Sequence, residues 1–418
     1  MRNGRYLTPA PAAFPTPRGW LPGTALLAAA LSACQAETGV TADTQVHVED
    51  SAGIRIVEYA GVPSPPTLTL AAEPMYAHGT REGDYTFQNI DQGDLSGVLY
   101  PDGSAAIADW GNQEVVRIGA DGRSFELIAQ AGEGPGEYGG RSPRLIAGGQ
   151  DTLLAQDTWN RRVLRYAGGS LISTVRLPGA DDGTGSFLHG LDGDGHLLMT
   201  SSWPSGRRES SDGRWIAGRM FRVDLAGRTS DTVASYDQLP PEPAVRTGTP
   251  LFRHGGLAST AGGEFVFGRT DRPELVWRRS DGTIRQIMRW NPEPLYTTRE
   301  AWERWIACMR DAYLEDPEVT EAMVEQSLGQ FEFVGDEPEP YFGRIFSDDQ
   351  GRIWLGNFTA FCYKTRSYTV IAPDGTWLGV FEPPEGFALL ATANGRVLGV
   401  ETDEMDVESV AVYEVVGW

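Results

Sequence analysis

Lysine is almost missing from this chain. Of its 35 Lys and Arg residues only Lys364 is a lysine, and 57 Asp and Glu bring the net charge to −22. A surface this acidic repels phosphate backbones and anionic headgroups, which excludes nucleic acid as a partner and polybasic docking on a membrane. Cysteine is scarce as well: Cys34, Cys308 and Cys362 are the whole set. Without a Cys-x-x-Cys pair or a tight Cys/His cluster, a structural zinc site has nothing to form from. Long apolar runs are also lacking, and the run at 24–31 is too short to span a bilayer. What is plentiful is glycine, 51 residues, and proline, 27. With 40% hydrophobic residues, that is a globular chain rich in turns, suited to short strands.

The first residues read as an address. Arg2, Arg5 and Arg18 are the only charges before Cys34, and the apolar run ends in Leu31-Ser32-Ala33-Cys34. A basic start, a short apolar core and small residues before the cut make a secretory signal, 1–33. Leu-Ser-Ala-Cys also resembles the bacterial lipobox, which implies that Cys34 is lipidated and becomes the mature N-terminus. Residues 34–53 are then an anchor linker, and 54–418 the folded domain. The location expected is the bacterial cell envelope, outside the cytoplasm, with the membrane reached only through the lipid. Gln35 is not the aspartate that retains some lipoproteins at the inner membrane, which favours the outer one. In that oxidising setting Cys308 and Cys362 are a candidate disulfide, with two separate buried thiols as the alternative.

Internal repetition defines the fold expected. Residues 95–137 run through Pro101-Asp-Gly103, Ala105-Ala-Ile-Ala108, Asp109-Trp-Gly-Asn112, Val115-Val-Arg-Ile118 and Ala120-Asp-Gly122. About 48 residues later the order recurs through Leu153-Leu-Ala155, Asp157-Thr-Trp-Asn160 and Val163-Leu-Arg-Tyr166. Four short strands with Asp-Gly or Gly-Gly turns make one propeller blade. Weaker units follow at Asp194-Gly195, Gly262-Gly263, Gln350-Gly351 and Asn394-Gly395. The last lacks a fourth strand, and Thr67–Leu70 is spare before the first. The expectation is all-β: a six-bladed β-propeller of four-stranded antiparallel blades, closed by that N-terminal strand.

Asp109-x-x-Asn112 with Val-Val-Arg-Ile resembles the repeat of NHL-type propellers. Gly132-Glu-Gly-Pro-Gly-Glu137 and the ending from Asp403 to Tyr413 resemble bacterial six-bladed β-propeller lipoproteins, a family with no agreed reaction. The likeness covers nearly the whole mature chain. Between blades four and five, Thr297-Thr-Arg-Glu300 reads as a capping box, followed by Trp302, Trp305, Ile306, Met309 and Tyr313 at helical spacing. A second helix is expected from Asp316-Pro317. Residues 297–330 are thus a helical hairpin insert, either a cover for apolar propeller surface or a lid.

Candidate chemistry is sparse. Asp109, Asn112, Asp157 and Asn160 recur at one point of the blade, so they read as structural turn residues. Asp192-Gly-Asp-Gly195 has part of a calcium loop but lacks its glutamate, and reads as a hairpin turn. His189 and His254 each precede a blade's first strand, where Arg144 and Arg344 stand in two other blades. First strands line a propeller's channel, so these four would form a cationic funnel for a carboxylate, phosphate or acidic peptide tip. Zinc lyases of similar fold place histidines there, but a third ligand is missing. The reading is a non-catalytic binding or interaction module that needs no cofactor, its partner a protein, peptide or small anionic ligand. The alternative is a metal-dependent hydrolase, lactonase or lyase at the channel, and a third is a structural spacer in an envelope assembly.

Overall fold

A computed structural model describes residues 45–79, 85–90, 95–140, 142–149, 151–177, 186–201, 216–239, 255–259, 263–314, 319–329, 331, 333, 338–358, 367–405 and 407–418. Cys34, His254 and Cys362 lie outside these. The chain opens with β1 (Val46–Ser51), β2 (Ile54–Tyr59), β3 (Thr67–Leu70) and β4 (Tyr76–His78). Antiparallel sheets then follow in order. The first holds β5 (Gly97–Leu99), β6 (Ala105–Asp109), β7 (Glu114–Ile118) and β8 (Phe125–Gln130). The second holds β9 (Arg144–Ala147), β10 (Thr152–Asp157), β11 (Arg162–Ala167) and β12 (Ser170–Arg176). The third holds β13 (Ser186–Leu191), β14 (Leu197–Ser201), β15 (Ile216–Val223) and β16 (Thr229–Leu239).

Next come β17 (Gly255–Ser259), β18 (Phe265–Arg269), β19 (Glu274–Arg278) and β20 (Ile284–Arg289). Helices α1 (Arg299–Leu314) and α2 (Glu321–Leu328) intervene before β21 (Ile345–Ser347), β22 (Ile353–Gly356), β23 (Tyr368–Ile371) and β24 (Trp377–Phe381). The chain ends with β25 (Phe387–Ala393), β26 (Arg396–Thr402) and β27 (Glu408–Val416).

The apolar cores lie between sheets. Leu145 and Leu153 pack with Val98, Ala106 and Val115 of the first sheet, whereas their neighbours Ile146 and Leu154 pack with Leu188 and Met199 of the third. Alternate residues of one strand therefore serve two different cores, which is why the inner strands are buried throughout rather than every second residue. The pattern continues through Met220 with Phe265, then Val266 with Ile353, then Trp354 with Phe387. It returns to its start where Leu398 and Val410 meet Ile107 and Val116. Nearly all-β, built from four-stranded sheets packed face to face in succession, the chain has the architecture of a β-propeller.

The N-terminal region is more involved than the sequence suggests. Part of the expected linker 34–53 is strand: β1 pairs with β2, and β2 adds in parallel to β20. Closure is also shared. β4, not β3, pairs with the middle of β27 through Tyr76↔Val412 and His78↔Val410. β3 reaches only the last residues of β27 and pairs in parallel with β24. A spare strand in the sequence carries no label for which of two open edges it will satisfy.

The helical segment departs from its expected caps. Thr298, not Thr297, caps α1, accepting from the Ala301 N–H at 3.1 Å. Thr297 donates instead to Glu339 at 3.2 Å, and Glu300 pairs with Arg304. α2 starts at Glu321 with Thr320 as its cap. Trp302 and Trp305 form a small core with Ile306, Met309, Phe331, Phe333 and Phe358. Phe358 follows β22, so this core rests against the same sheet that the segment precedes. Cys308 on α1 is disulfide-bonded. Among the described residues no helix is long and apolar enough to cross a membrane.

Candidate functional site

The repeated Asp-x-x-Asn turns end the second strands of the first two sheets and are saturated by their own blades. Asp109, fully buried, accepts from the backbone N–H of Gln88 and Asn112, from the Asn112 amide at 2.8 Å and from the Tyr85 hydroxyl at 3.1 Å. Asp157 accepts from Gly139 and Asn160 N–H, both at 3.0 Å, from the Asn160 amide at 2.9 Å and from Arg162 Nε at 3.0 Å. Burial alone would raise the Asp157 pKa; these donors outweigh it and hold the carboxyl below its ordinary range. Each carboxylate ties the connection between sheets to a strand end. The Gly132–Glu137 stretch is a turn of the same self-contained kind, with Glu137 accepting from Gly134 N–H at 2.6 Å.

Asp192, Asp194 and His196 place candidate ligand atoms within 4.8 Å of one another. Two other turns explain the arrangement. Asp224 accepts from the N–H of residues 226 and 228 and pairs with Arg228, and Gly227 adopts φ 80°. Asp348 does the same with residues 350 and 352 and pairs with Arg352, and Gly351 has φ 74°. Asp192 repeats this geometry with residues 194 and 196, Gly195 at φ 81° and the His196 ring at 3.1 Å. His196 thus stands where arginine stands elsewhere, and the Arg222 guanidinium, 3.3 Å from Asp192, adds a positive charge that opposes a cation. Added calcium or zinc is expected to leave the melting temperature unchanged. A rise of several degrees in a thermal melt would instead make this turn a metal site.

The inner strands carry the remaining candidates. Arg144 opens β9, and its guanidinium lies over the Phe187 ring of β13, 4.7 Å from the centroid. Gln156 on β10 fastens the same two sheets, accepting from Leu188 N–H at 2.9 Å and donating to the Ser186 carbonyl. His189 sits at a β-bulge. Leu188 pairs with Met199 and Gly190 with the adjacent Leu198, leaving His189 as the extra residue. The bulge re-aims its ring, so that Nε2 lies 2.8 Å from Thr200 Oγ1 on β14. Burial, then the nearby Arg144 charge, pushes the His189 pKa down to about 3. The ring keeps some accessible surface, but surrounding protein leaves its cation poorly solvated. A funnel with four cationic members is therefore corrected: His189 is neutral at physiological pH.

Arg344 stands just before β21. Its guanidinium lies 5.0 Å from the centroid of the Phe346 ring and donates to the Leu389 carbonyl of β25 at 3.3 Å. It makes no ion pair with any described residue. Of the described members of the expected funnel, Arg144 at the start of β9 lies near enough to His189 of the next sheet to shift its pKa, while Arg344 stands just before the first strand of another sheet. Phe187, Thr200 and Tyr236 belong to this region and carry no sequence signal, because each looks like an ordinary strand residue.

No family model matches the chain, and no curated protein matches it. Solved structures are similar over most of its length. A member of the DUF4221 family from Bacteroides vulgatus has 12% identity over 84% of this chain and 99% of that one, with a TM-score of 0.48. A protein described as exported from Bacteroides fragilis has 11% identity over 84% and 99%, with a TM-score of 0.46. The calcium-binding protein regucalcin from Agrobacterium tumefaciens has 12% identity over 85% and 98%, with a TM-score of 0.39. Likenesses this distant say nothing of what this chain binds or converts, and the fold reading rests on the sheets and cores themselves.

Proposed function

We propose that this chain is a lipid-anchored, extracytoplasmic six-bladed β-propeller that binds an anionic small molecule or peptide tip at its channel without transforming it. In this reading 1–33 is a signal peptide, Cys34 carries the lipid, and 297–330 is an insert between blades four and five, tied to blade five by a Cys308–Cys362 disulfide. The ring is closed by N-terminal strands, and its binding groups sit on rigid inner strands.

The observation that carries the binding reading is Arg344. Its guanidinium is oriented by one carbonyl and one aromatic face yet not neutralised by a described carboxylate, in a chain with a net charge of −22. Unused charge in such a position suits an anion, because a charge-assisted hydrogen bond contributes about 1.5–3 kcal/mol. Arg344→Gln is expected to weaken binding of the best anion, chosen from a calorimetric panel of carboxylates and phosphates, by roughly 10–100-fold. Unchanged affinity in a folded variant would remove Arg344, and this reading, from consideration.

A further inference from the structure

The sheet that holds β17 to β20 is extended on its outer side by β2 and then β1. β1 is the last strand of that sheet among the described residues, and every residue in it is exposed. The outermost strands of the first three sheets, β8, β12 and β16, each pair with a register shift that breaks the regularity of the edge. β1 instead pairs with β2 in unbroken register from Val46↔Tyr59 to Ser51↔Ile54. The hairpin is also fastened to the body of the protein. Arg289 joins Glu58 on β2 to Glu274 on β19, and Tyr59 and Arg55 donate to the carbonyls of Gly375 and Asp374. A regular, anchored and uncovered edge is a template for another strand.

Backbone geometry decides which residues face outward. Ala60 N–H donates to the Gln45 carbonyl at 3.0 Å, so these two form a hydrogen-bonded pair, and the pairs at His47, Glu49 and Ser51 follow by alternation. The N–H and C=O groups of Val46, Val48 and Asp50 therefore point away from β2. A second, antiparallel copy of β1 must set these residues against one another, which leaves registers centred on His47, Val48 or Glu49. The first places imidazole against imidazole, and the last places carboxylate against carboxylate. The register about Val48 sets His47 opposite Glu49 of the second copy, and symmetry repeats the pair. On the other face Val48 meets its own copy with Val46 on the diagonal, covering side chains that are 45% and 52% exposed. Asp50 is turned back to the Gly53 N–H at 3.0 Å. We propose that β1 is a self-recognition edge, through which two copies of this chain join antiparallel about Val48. The pairing is independent of what the channel binds. One strand per copy makes a small interface and hence a weak dimer. At physiological salt the mutual repulsion of two acidic chains is screened beyond about 8 Å.

The test is sedimentation equilibrium of the mature chain in a large excess of detergent micelles, so that two chains do not share one micelle. A monomer–dimer equilibrium is expected below about 100 µM. Val48→Pro removes an N–H that the fold itself does not use, and should abolish the dimer. Glu49→Lys, which leaves the backbone untouched, should weaken it roughly tenfold by facing His47 with a like charge. His47→Glu should do the same, and the exchanged pair His47→Glu with Glu49→His should return affinity to within about threefold of wild type. Single cysteines then read the register under a mild oxidant. Val48→Cys stands about 5.5 Å from its copy, within disulfide reach, whereas His47→Cys and Glu49→Cys lie about 7–8 Å from theirs on the diagonal. Cross-linking roughly tenfold faster at 48 is expected. A chain that stays monomeric at about 100 µM overturns the proposal. So does a dimer indifferent to both Val48→Pro and Glu49→Lys, which would use another surface. Fastest cross-linking at 47 or 49 overturns the register and the charge pairing that selects it.

Discussion

Replacing Asp157 with alanine is expected to destabilise the protein by about 3–5 kcal/mol, the cost of breaking a buried charge network by removing one partner. The side chain is 1% exposed and holds Gly139, Asn160 and Arg162 at once. Alanine leaves two backbone N–H groups and one guanidinium without their acceptor. Asp157→Asn keeps the shape and some acceptor capacity, so its loss should be nearer 1–3 kcal/mol. Chemical denaturation of both variants checks the order, and a loss under about 1 kcal/mol for alanine would contradict it. The sign of the pH effect follows from the same donors. The native pKa of Asp157 is lowered, so the folded state binds fewer protons than the unfolded chain as pH falls. Its contribution is fully present above the unfolded value of about 4 and fades as pH drops through the lower native one. Stability of Asp157→Asn should accordingly fall less steeply than wild type on the acid limb.

The second large effect concerns location. Cys34→Ala is expected to move the protein from the membrane pellet to the soluble fraction and to remove the lipid mass from its N-terminus. Buried acyl chains contribute about 0.8 kcal/mol per methylene, and no spanning helix is present among the described residues to replace them. The acidic surface opposes retention by anionic headgroups. Fractionation with mass spectrometry decides the matter. Sedimentation of the variant with membranes would point to a different attachment.

Several features were legible before any coordinates. Asp109 and Asp157 recur because a short carboxylate just past a strand can satisfy a turn's backbone N–H groups, a local requirement that leaves a local signature. The same holds for Gly195, Gly227 and Gly351, whose left-handed backbone a side chain would strain. The helical spacing of Trp302 and Trp305 is readable for the same reason, whereas the sequence does not separate the chemically equivalent Thr297 and Thr298 as caps; the Glu339 contact of Thr297 does. The place of His189 in the repeat suggests a channel cation. Its neutrality depends on burial and on Arg144 from another sheet, neither of which has a sequence period.

What the sequence determined by itself, then, is the repeat: the order of short strands, their turn chemistry, and the acidic balance that excludes polyanions. These are interactions between residues a few positions apart, and they write themselves into spacing. Tertiary structure decided which N-terminal strand meets β27, that burial and Arg144 lower the His189 pKa, and that the Tyr236 ring lies over Gly218. Those outcomes depend on strands distant in the chain arriving side by side, where a one-residue bulge or a missing Cβ changes what a side chain can touch.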